Sequence, residues 1–581
     1  MDDPARDYPA WVRAFAQITA ADRAAIAAQI AAMHNAPRFL LVPLLRAGES
    51  LALWQPCFDG VRSQLHPHWH IALPADWRPS VRFDDRAVWL PEAEDDPATV
   101  LAAALRAAMG AAIGAAIGET IDFVVPLPRG VRLDERALYE FAVAALDAPR
   151  AGVLFGDEDH IDADGTPSRP RFKTGFDPEL MLGRDALGLP VAYRRPLLMA
   201  LGGLRRGAGP VEVALHDLAL RASKDILPDQ FKHVPVVLAH RTEAPEWDAA
   251  AFAAVMRRHL HDIGETAATV AAAPLAPDWL RVTHAVPMPQ PLVSVIVPTR
   301  DGTELLARCM EGLLYRTDYD ALEVLIVDNG STSPDTLALL DHLAADARVR
   351  VLRCPGPFNY SGLNNTAARA ATGEVLLLLN NDIDILDSGW LRELVAHAMR
   401  PGVGAAGAKL LYADRRVQHA GVVVGRGQFI AHQLRLSSAR DPGPAGELAL
   451  ARSVRAVTGA CLAIRRSIYG EVGGLDATVL PVALNDIDLC LRLADHGYRV
   501  VFTPFAELLH LESASRGDDM IDAARQARFM RELAAFSGRW ADDLREDPFH
   551  NPNLEFGWDR TQLAAPPRRL ASWAVGKAPL C

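Results

Sequence analysis

The chain has 581 residues, of which 50% are hydrophobic and 23% charged, and its formal net charge is −12. That length exceeds what one hydrophobic core serves and implies two or three domains of ordinary globular composition. The acidic balance argues against broad nucleic-acid binding, and the 6 cysteines, with no Cys-x-x-Cys pair, give neither a disulfide framework nor a zinc pattern; they fit a reducing cytosol.

The start, Met1-Asp2-Asp3-Pro4, leads into no apolar core of signal-peptide type. Residues 1–35 read as a helical arm, with Trp11, Phe15 and Ile18 at helical spacing and Thr19 or Asp22 as a cap. Residues 36–243 alternate strand and helix. Phe39–Pro43, Ile71–Pro74, Ile121–Pro126 and Gly152–Gly156 are strand candidates, and Leu133–Leu146 is a helix with an apolar stripe. The Ala-rich stretch Thr99–Gly118 reads as a packed helix rather than a membrane span, because Arg106 interrupts it and its apolar side chains are small. Asp157-Glu158-Asp159 reads as a solvated acidic loop. Residues 244–291 give a helix, Asp248–Ile263, and a Pro-rich extended linker.

In residues 292–517 the alternation restarts more strongly, with strands at Val293–Pro298, Leu322–Asp328, Val349–Leu352, Val375–Leu379 and Thr458–Ile464, and helices at Thr303–Leu314, Tyr360–Ala371 and Asn485–His496. Ser437–Leu450, with its Pro and Gly, reads as a mobile loop. Residues 518–581 hold a helix, Met520–Phe536, and a tail laid on the surface.

The stretch that organises the second half is Gly373-Glu374-Val375-Leu376-Leu377-Leu378-Leu379-Asn380-Asn381-Asp382. Its unbroken apolar run reads as a buried strand that stops at amides and carboxylates, whose burial is costly unless a cation compensates. Asn380 and Asp382 lie two apart, so they share one side of an extended chain and suit a hard divalent cation. Two other strands also end in polar groups, Pro298-Thr299-Arg300-Asp301 and Asp328-Asn329, and open parallel sheets bind ligands at such carboxyl ends. Taken alone, Asp328-Asn329-Gly330-Ser331 reads as a turn, since Asn-Gly is a strong turn signal. In Asn485-Asp486-Ile487-Asp488-Leu489-Cys490-Leu491-Arg492, Asp488 and Arg492 are i, i+4 partners. Asp486, near the helix start, reads as a cap or as a general base. His510 closes an apolar strand as Asp382 does, and Arg516 sits in a Gly-adjacent loop suited to phosphate.

These stretches, with Thr458-Gly459-Ala460-Cys461 and His510-Leu511-Glu512-Ser513-Ala514-Ser515-Arg516-Gly517, resemble a family 2 inverting glycosyltransferase of the GT-A fold. The branch they resemble builds bacterial O-antigen and other surface polysaccharides and is rhamnosyltransferase-like. The resemblance implies a divalent metal, Mn²⁺ or Mg²⁺, held by Asn380, Asp382 and His510. It implies a nucleotide pocket of Pro298, Thr299, Arg300, Asp328, Asn329 and Asn381, and Asp486 as catalytic base. Asn380 and Asn485 stand where the family more often has Asp and Glu. The donor implied is a UDP-, dTDP- or GDP-linked sugar and the acceptor a glycan or lipid-linked glycan. The setting implied is the cytoplasm, with peripheral membrane association.

The first half resembles a companion GT-A domain in Gly156–Gly165, Phe172-Lys173 and Asp217–Arg221. Yet its strand Phe123-Val124-Val125 ends in Pro126-Leu127-Pro128, and Leu215 takes the place of the base. The expected architecture is therefore α/β, with two tandem GT-A domains of mostly parallel sheet, the first degenerate. Two other readings compete. A sugar-1-phosphate nucleotidyltransferase needs a longer, basic Gly-rich loop than Thr299-Arg300-Asp301-Gly302. A non-catalytic nucleotide- or glycan-binding scaffold would have lost the second half's acidic groups, which are present.

Overall fold

A computed structural model describes residues 6–90, 96–109, 120–245, 247–425, 429–511, 522–556 and 562–574. The chain forms two compact units. The first comprises Met1–Thr266 with His550–Glu555 and Thr561–Cys581, and the second Ala267–Phe549 with Phe556–Arg560.

The first unit is built on a nine-stranded sheet: β1 (Phe39–Pro43), β2 (Trp69–Pro74), β3 (Ala87–Leu90), β4 (Phe123–Leu127), β5 (Val131–Leu133), β6 (Val153–Ile161), β7 (Pro167–Arg171), β8 (Val191–Arg194) and β9 (Phe231–Arg241). Its order is β3-β2-β1-β4-β8-β6-β9-β5, with β7 beside β6. The second unit opens with a hairpin, β10 (Thr269–Ala273) and β11 (Ala276–Thr283). Its main sheet comprises β12 (Val293–Thr299), β13 (Leu322–Asp328), β14 (Val349–Arg353), β15 (Val375–Leu379), β16 (Ile383–Ile385), β17 (Val403–Leu411) and β18 (Val417–His419). A small pair, β19 (Val422–Gly425) and β20 (Phe429–His432), intervenes before β21 (Arg452–Ser453), β22 (Cys461–Arg465) and β23 (Arg499–His510) complete the sheet. Here the order is β14-β13-β12-β15-β22-β17-β23-β16, with β18 beside β17. Apart from β21, which pairs with β23 and has no counterpart, this repeats the first unit strand for strand, parallel and antiparallel pairings included.

Buried hydrogen bonds repeat as well. On helix α1 (Val211–Asp225), Asp217 binds Arg221, whose guanidinium also donates to the carbonyls of Leu201 and Gly203. On helix α2 (Asn485–Asp495), Asp488 binds Arg492, which donates to the carbonyls of Val472 and Gly474. In each unit the same i, i+4 pair thus ties the helix to the loop before it.

Strand β15 shows why these residues make this sheet. Val375, Leu377 and Leu379 enter one core, with Leu306, Leu313 and Trp390; Leu376 and Leu378 enter the other, with Leu363, Leu489 and Leu491. A strand covered on both faces needs no polar alternation, and each such side chain contributes about 1.5–3 kcal/mol on burial. Gly373 precedes it because a Cβ there would lie 2.6 Å from the Leu292 carbonyl oxygen.

Four expectations change. The Pro-rich 269–283 segment is extended but paired as a hairpin rather than a free linker. Asp157, Glu158 and Asp159 are buried in β6 rather than solvated. Each has a partner that makes burial tolerable: His233 for Asp157, Arg171 and Arg241 for Glu158, Tyr8 and His240 for Asp159. Leu448, Ala449 and Leu450 are buried, so 437–450 is anchored by its apolar end. The tail is also not laid on the surface: Asn551 is 2% exposed and donates to Asp157 and the Lys173 carbonyl, and Trp573 donates to Asp22. Of the Ala-rich stretch, Pro97–Met109 is helical; its remainder, 110–118, lies outside the described residues.

Candidate active site

In the second unit β13, β12 and β15 lie side by side and parallel, so Thr299, Asp328 and Asn380 come together at one edge. Chain order reverses direction across the sheet at β12 and β15, the position where open α/β sheets bind ligands.

Asp328 is buried, accepting from the Ser331 backbone N–H at 3.0 Å and from Arg353 Nη1 at 2.9 Å. Burial pushes its pKa up, but the hydrogen bonds from Ser331 and Arg353 outweigh it and hold the carboxyl below its usual value. It is therefore an anionic acceptor at neutral pH. Asn329 Nδ2 donates to the Cys354 and Gly356 carbonyls. Asn381 Nδ2 donates to Thr299 Oγ1 at 3.0 Å, joining the ends of β12 and β15. Pro298 is buried inside β12 and Arg300 is exposed. The neighbouring Asp301, at φ 50°, accepts from the backbone N–H groups of Thr332 and Ser333 and closes the loop.

Beyond β15, Asp382 Oδ1 lies 3.2 Å from His510 Nε2. β16 brings them together by pairing with β23, Ile383 opposite His510. Asn380 presents its amide nitrogen to the same ring atom at 3.3 Å. Asp382 and His510 thus face each other with oxygen and nitrogen, a donor set that fits a divalent cation; Asn380 as oriented offers no oxygen to it.

Asp486 lies at the start of α2, after Leu484 in the left-handed region at φ 61°. A bulky side chain there is strained, and such strain gathers at functional sites. Leu484, not Asp486, is the N-cap residue. Asp486 Oδ2 accepts from the Gly459 N–H at 2.8 Å and Oδ1 from the Ile487 N–H. A short path joins it to the metal-type cluster: Asn380 N–H donates to the Ala460 carbonyl, one residue from Gly459.

Two candidates have structural work instead. Asp488 is wholly buried and accepts from Arg492, Arg539 and Trp540, which locks α2 to the helix Ala523–Arg539. Asn485 donates to the Val482 carbonyl. Arg516 lies outside the described residues.

Four residues of this neighbourhood escaped the sequence reading. Arg353 binds Asp328 from β14, and Gln418 binds the His510 ring from β18. Tyr360 donates to the Gly459 carbonyl at 2.8 Å, and burial beside Asp486 pushes its pKa well up. Glu532 accepts from the backbone N–H groups of Val482 and Ala483, bracing the loop before Asp486. None belongs to a periodic pattern or a motif; only the fold brings them near.

Residues 294–473 match the model of glycosyl transferase family 2. That span holds Asp328, Asp382 and Gly459 and ends before Asp486 and His510. The chain is 34% identical to the uncharacterized protein y4gI of Sinorhizobium fredii over 96% of its own length and 62% of the relative's. It is 36% identical to the O-antigen biosynthesis protein RfbC of Myxococcus xanthus, over 94% of this chain and 42% of that one. The chain thus spans about half the length of these relatives. Among solved structures, the mannosyltransferase PcManGT from Pyrobaculum calidifontis, in complex with GDP-Man and Mn²⁺, is similar over 46% of this chain and 70% of its own, at 22% identity and a TM-score of 0.34. The match to glycosyl transferase family 2 thus falls within the second unit, over the strands that lead to Asp328 and Asp382.

Proposed function

We propose that the second unit transfers a sugar from a nucleoside-diphosphate donor to a hydroxyl of a glycan or lipid-linked acceptor, inverting the anomeric carbon, in surface-polysaccharide synthesis. The observation that carries this is the Asp382–His510 pair, 3.2 Å apart at the end of β15 and tied through Ala460 and Gly459 to Asp486. Asp382 and His510 would hold the divalent cation. When bound, that cation supplies the positive charge that offsets the departing diphosphate. Asp328, kept ionised, accepts from a ring N–H of the base, and Thr299 and Asn381 shape the pocket floor. Asp486 takes the proton of the acceptor hydroxyl as it attacks the face opposite the leaving group. One displacement with no covalent intermediate inverts the configuration. UDP, dTDP and GDP are the donor nucleotides to compare.

In this proposal the first unit is a non-catalytic companion. Among the described residues no helix is long and apolar enough to cross a membrane, so a lipid-linked acceptor would be met by peripheral association.

The test is turnover against binding. Wild type and Asp486→Asn are assayed with UDP-, dTDP- and GDP-sugars and Mn²⁺ for release of nucleoside diphosphate and for nucleotide affinity. Turnover with one nucleotide class, lost in Asp486→Asn while that nucleotide still binds, supports the reading. Nucleotide binding without turnover of any donor would favour a glycan- or nucleotide-binding scaffold instead.

A further inference from the structure

Gln418 lies on β18, 4% exposed, and grips one residue at two points. Its Nε2 is 3.4 Å from the His510 carbonyl oxygen, and its Oε1 is 2.6 Å from His510 Nδ1. The carbonyl only accepts, so the amide nitrogen faces it and the amide oxygen faces the ring. An oxygen 2.6 Å from Nδ1 requires the ring proton on that nitrogen. A neutral ring then carries its lone pair on Nε2, the atom facing Asp382 Oδ1 at 3.2 Å and Asn380 Nδ2 at 3.3 Å. The Asn380 amide, a donor, agrees with a bare Nε2. Asp382 and Nε2 would then be two acceptors at close range, an arrangement that a cation between them satisfies.

We propose that Gln418 is a positioning residue: it fixes His510 as the Nδ1–H tautomer, points Nε2 at Asp382, and so sets the affinity of this pair for a divalent cation. The inference rests on the metal reading of the second unit given above. It goes beyond that reading by assigning the residue that prepares the ligand. Partners of metal-bound histidines in other proteins alter metal affinity by about 10–100-fold. The neighbouring His419 faces elsewhere, its Nε2 accepting from the backbone N–H groups of Gly421 and Thr458, so Gln418 acts on the ring while His419 braces the loop beside Gly459.

The experiment uses the full chain as wild type, Gln418→Leu and Gln418→Glu. Mn²⁺ binding with UDP or GDP present is read by electron paramagnetic resonance. The His510 ring of the metal-free protein is read by long-range ¹H–¹⁵N correlation, assigned by its loss in His510→Gln. Expected is an Nδ1–H ring in the wild type. Gln418→Leu loses that tautomer and binds Mn²⁺ about 10–100-fold more weakly, whereas Gln418→Glu, which keeps an acceptor oxygen, recovers most of the affinity. Metal-free nucleotide affinity stays unchanged in Gln418→Leu, and the variant still folds, its melting temperature lowered by a few degrees for the lost hydrogen bonds. An Nε2–H ring in the wild type, or a Gln418→Leu that binds Mn²⁺ as tightly as wild type, overturns the proposal. A wild type that takes up no Mn²⁺ removes the metal reading and with it the affinity role.

Discussion

Both units wind the same strand order, and both tie a helix, α1 or α2, to its preceding loop with an Asp–Arg pair, yet their strand ends differ. β4 registers on β1 as β15 does on β12, Phe123 opposite Phe39 and Val375 opposite Val293. Counting onward, Pro128 and Gly130 fall where the second unit has Asn380 and Asp382. β5 meets β9 with Val131 opposite Arg241, as β16 meets β23 with Ile383 opposite His510, so Arg241 stands at the place of His510. The two Asp–Arg pairs put Leu215 at the place of Asp486. Proline, glycine and leucine have no side-chain lone pair to offer, and a guanidinium donates only. Instead Arg241 brings its own positive charge and binds Glu158 at 2.8 Å. The comparison teaches that this scaffold is kept by apolar strands and loop-binding arginines, while the proposed chemistry rests on a few side chains beyond the strand ends that the first unit lacks.

The comparison breaks most visibly in turnover. Asp486→Asn should lower the rate by about 10²–10⁴-fold, the range of a general base, with nucleotide affinity retained. The matching change Leu215→Met, a volume-conserving swap, should leave the rate within about twofold. A steady-state assay of both decides it, and equal losses would mean the first unit takes part in the chemistry.

The scaffold side is read by stability. Arg492→Leu should cost about 3 kcal/mol in denaturant unfolding, at the low end for a broken buried pair because Arg539 and Trp540 still hold Asp488. Arg221→Leu should cost a similar amount, because the two pairs do the same work; a neutral result in either would dissolve the parallel.

A third effect belongs to the first unit alone. Burial opposes charge on His240, but hydrogen bonds to Asp134 and Asp159 outweigh it and raise its pKa from 6.5 to about 9. Because the folded value is the higher one, the stabilisation is fully present below pH 6.5 and is lost as pH rises through 9. At its fullest it is roughly 3 kcal/mol. Melting temperature followed from pH 6 to 10 should fall across that window, and His240→Asn should flatten the fall. The smallest effect is Tyr360→Phe, which removes one hydrogen bond to Gly459 and should cost about 1 kcal/mol. A much larger loss of turnover would give that hydroxyl a part in the chemistry.

Much of this was legible in the sequence. Apolar runs stopping at Asn380 and Asp328 announced buried strands, and the motif order singled out Asp382, Asp486 and His510, of which the fold sets Asp382 and His510 3.2 Å apart. Burial of Asp157, Glu158 and Asp159 was not legible, because their partners, Tyr8, Arg171, His233, His240 and Arg241, come from other elements. The tail was misread for the same reason: Asn551 looks like a turn former until Asp157 is placed beside it. Nor does any local pattern mark Gln418, whose role depends on β18 and β23 both lying beside β17. Sequence shows which residues are able to do chemistry; the partners that orient them are set by the register of distant strands.

The measurement that tests the central claim most directly is calorimetric titration of the full chain with the donor nucleotide, with and without Mn²⁺, in wild type and in Asp382→Ala. The account predicts one metal-dependent site per chain, abolished by Asp382→Ala. Two sites per chain, or a metal-dependent site that survives the substitution, would contradict it.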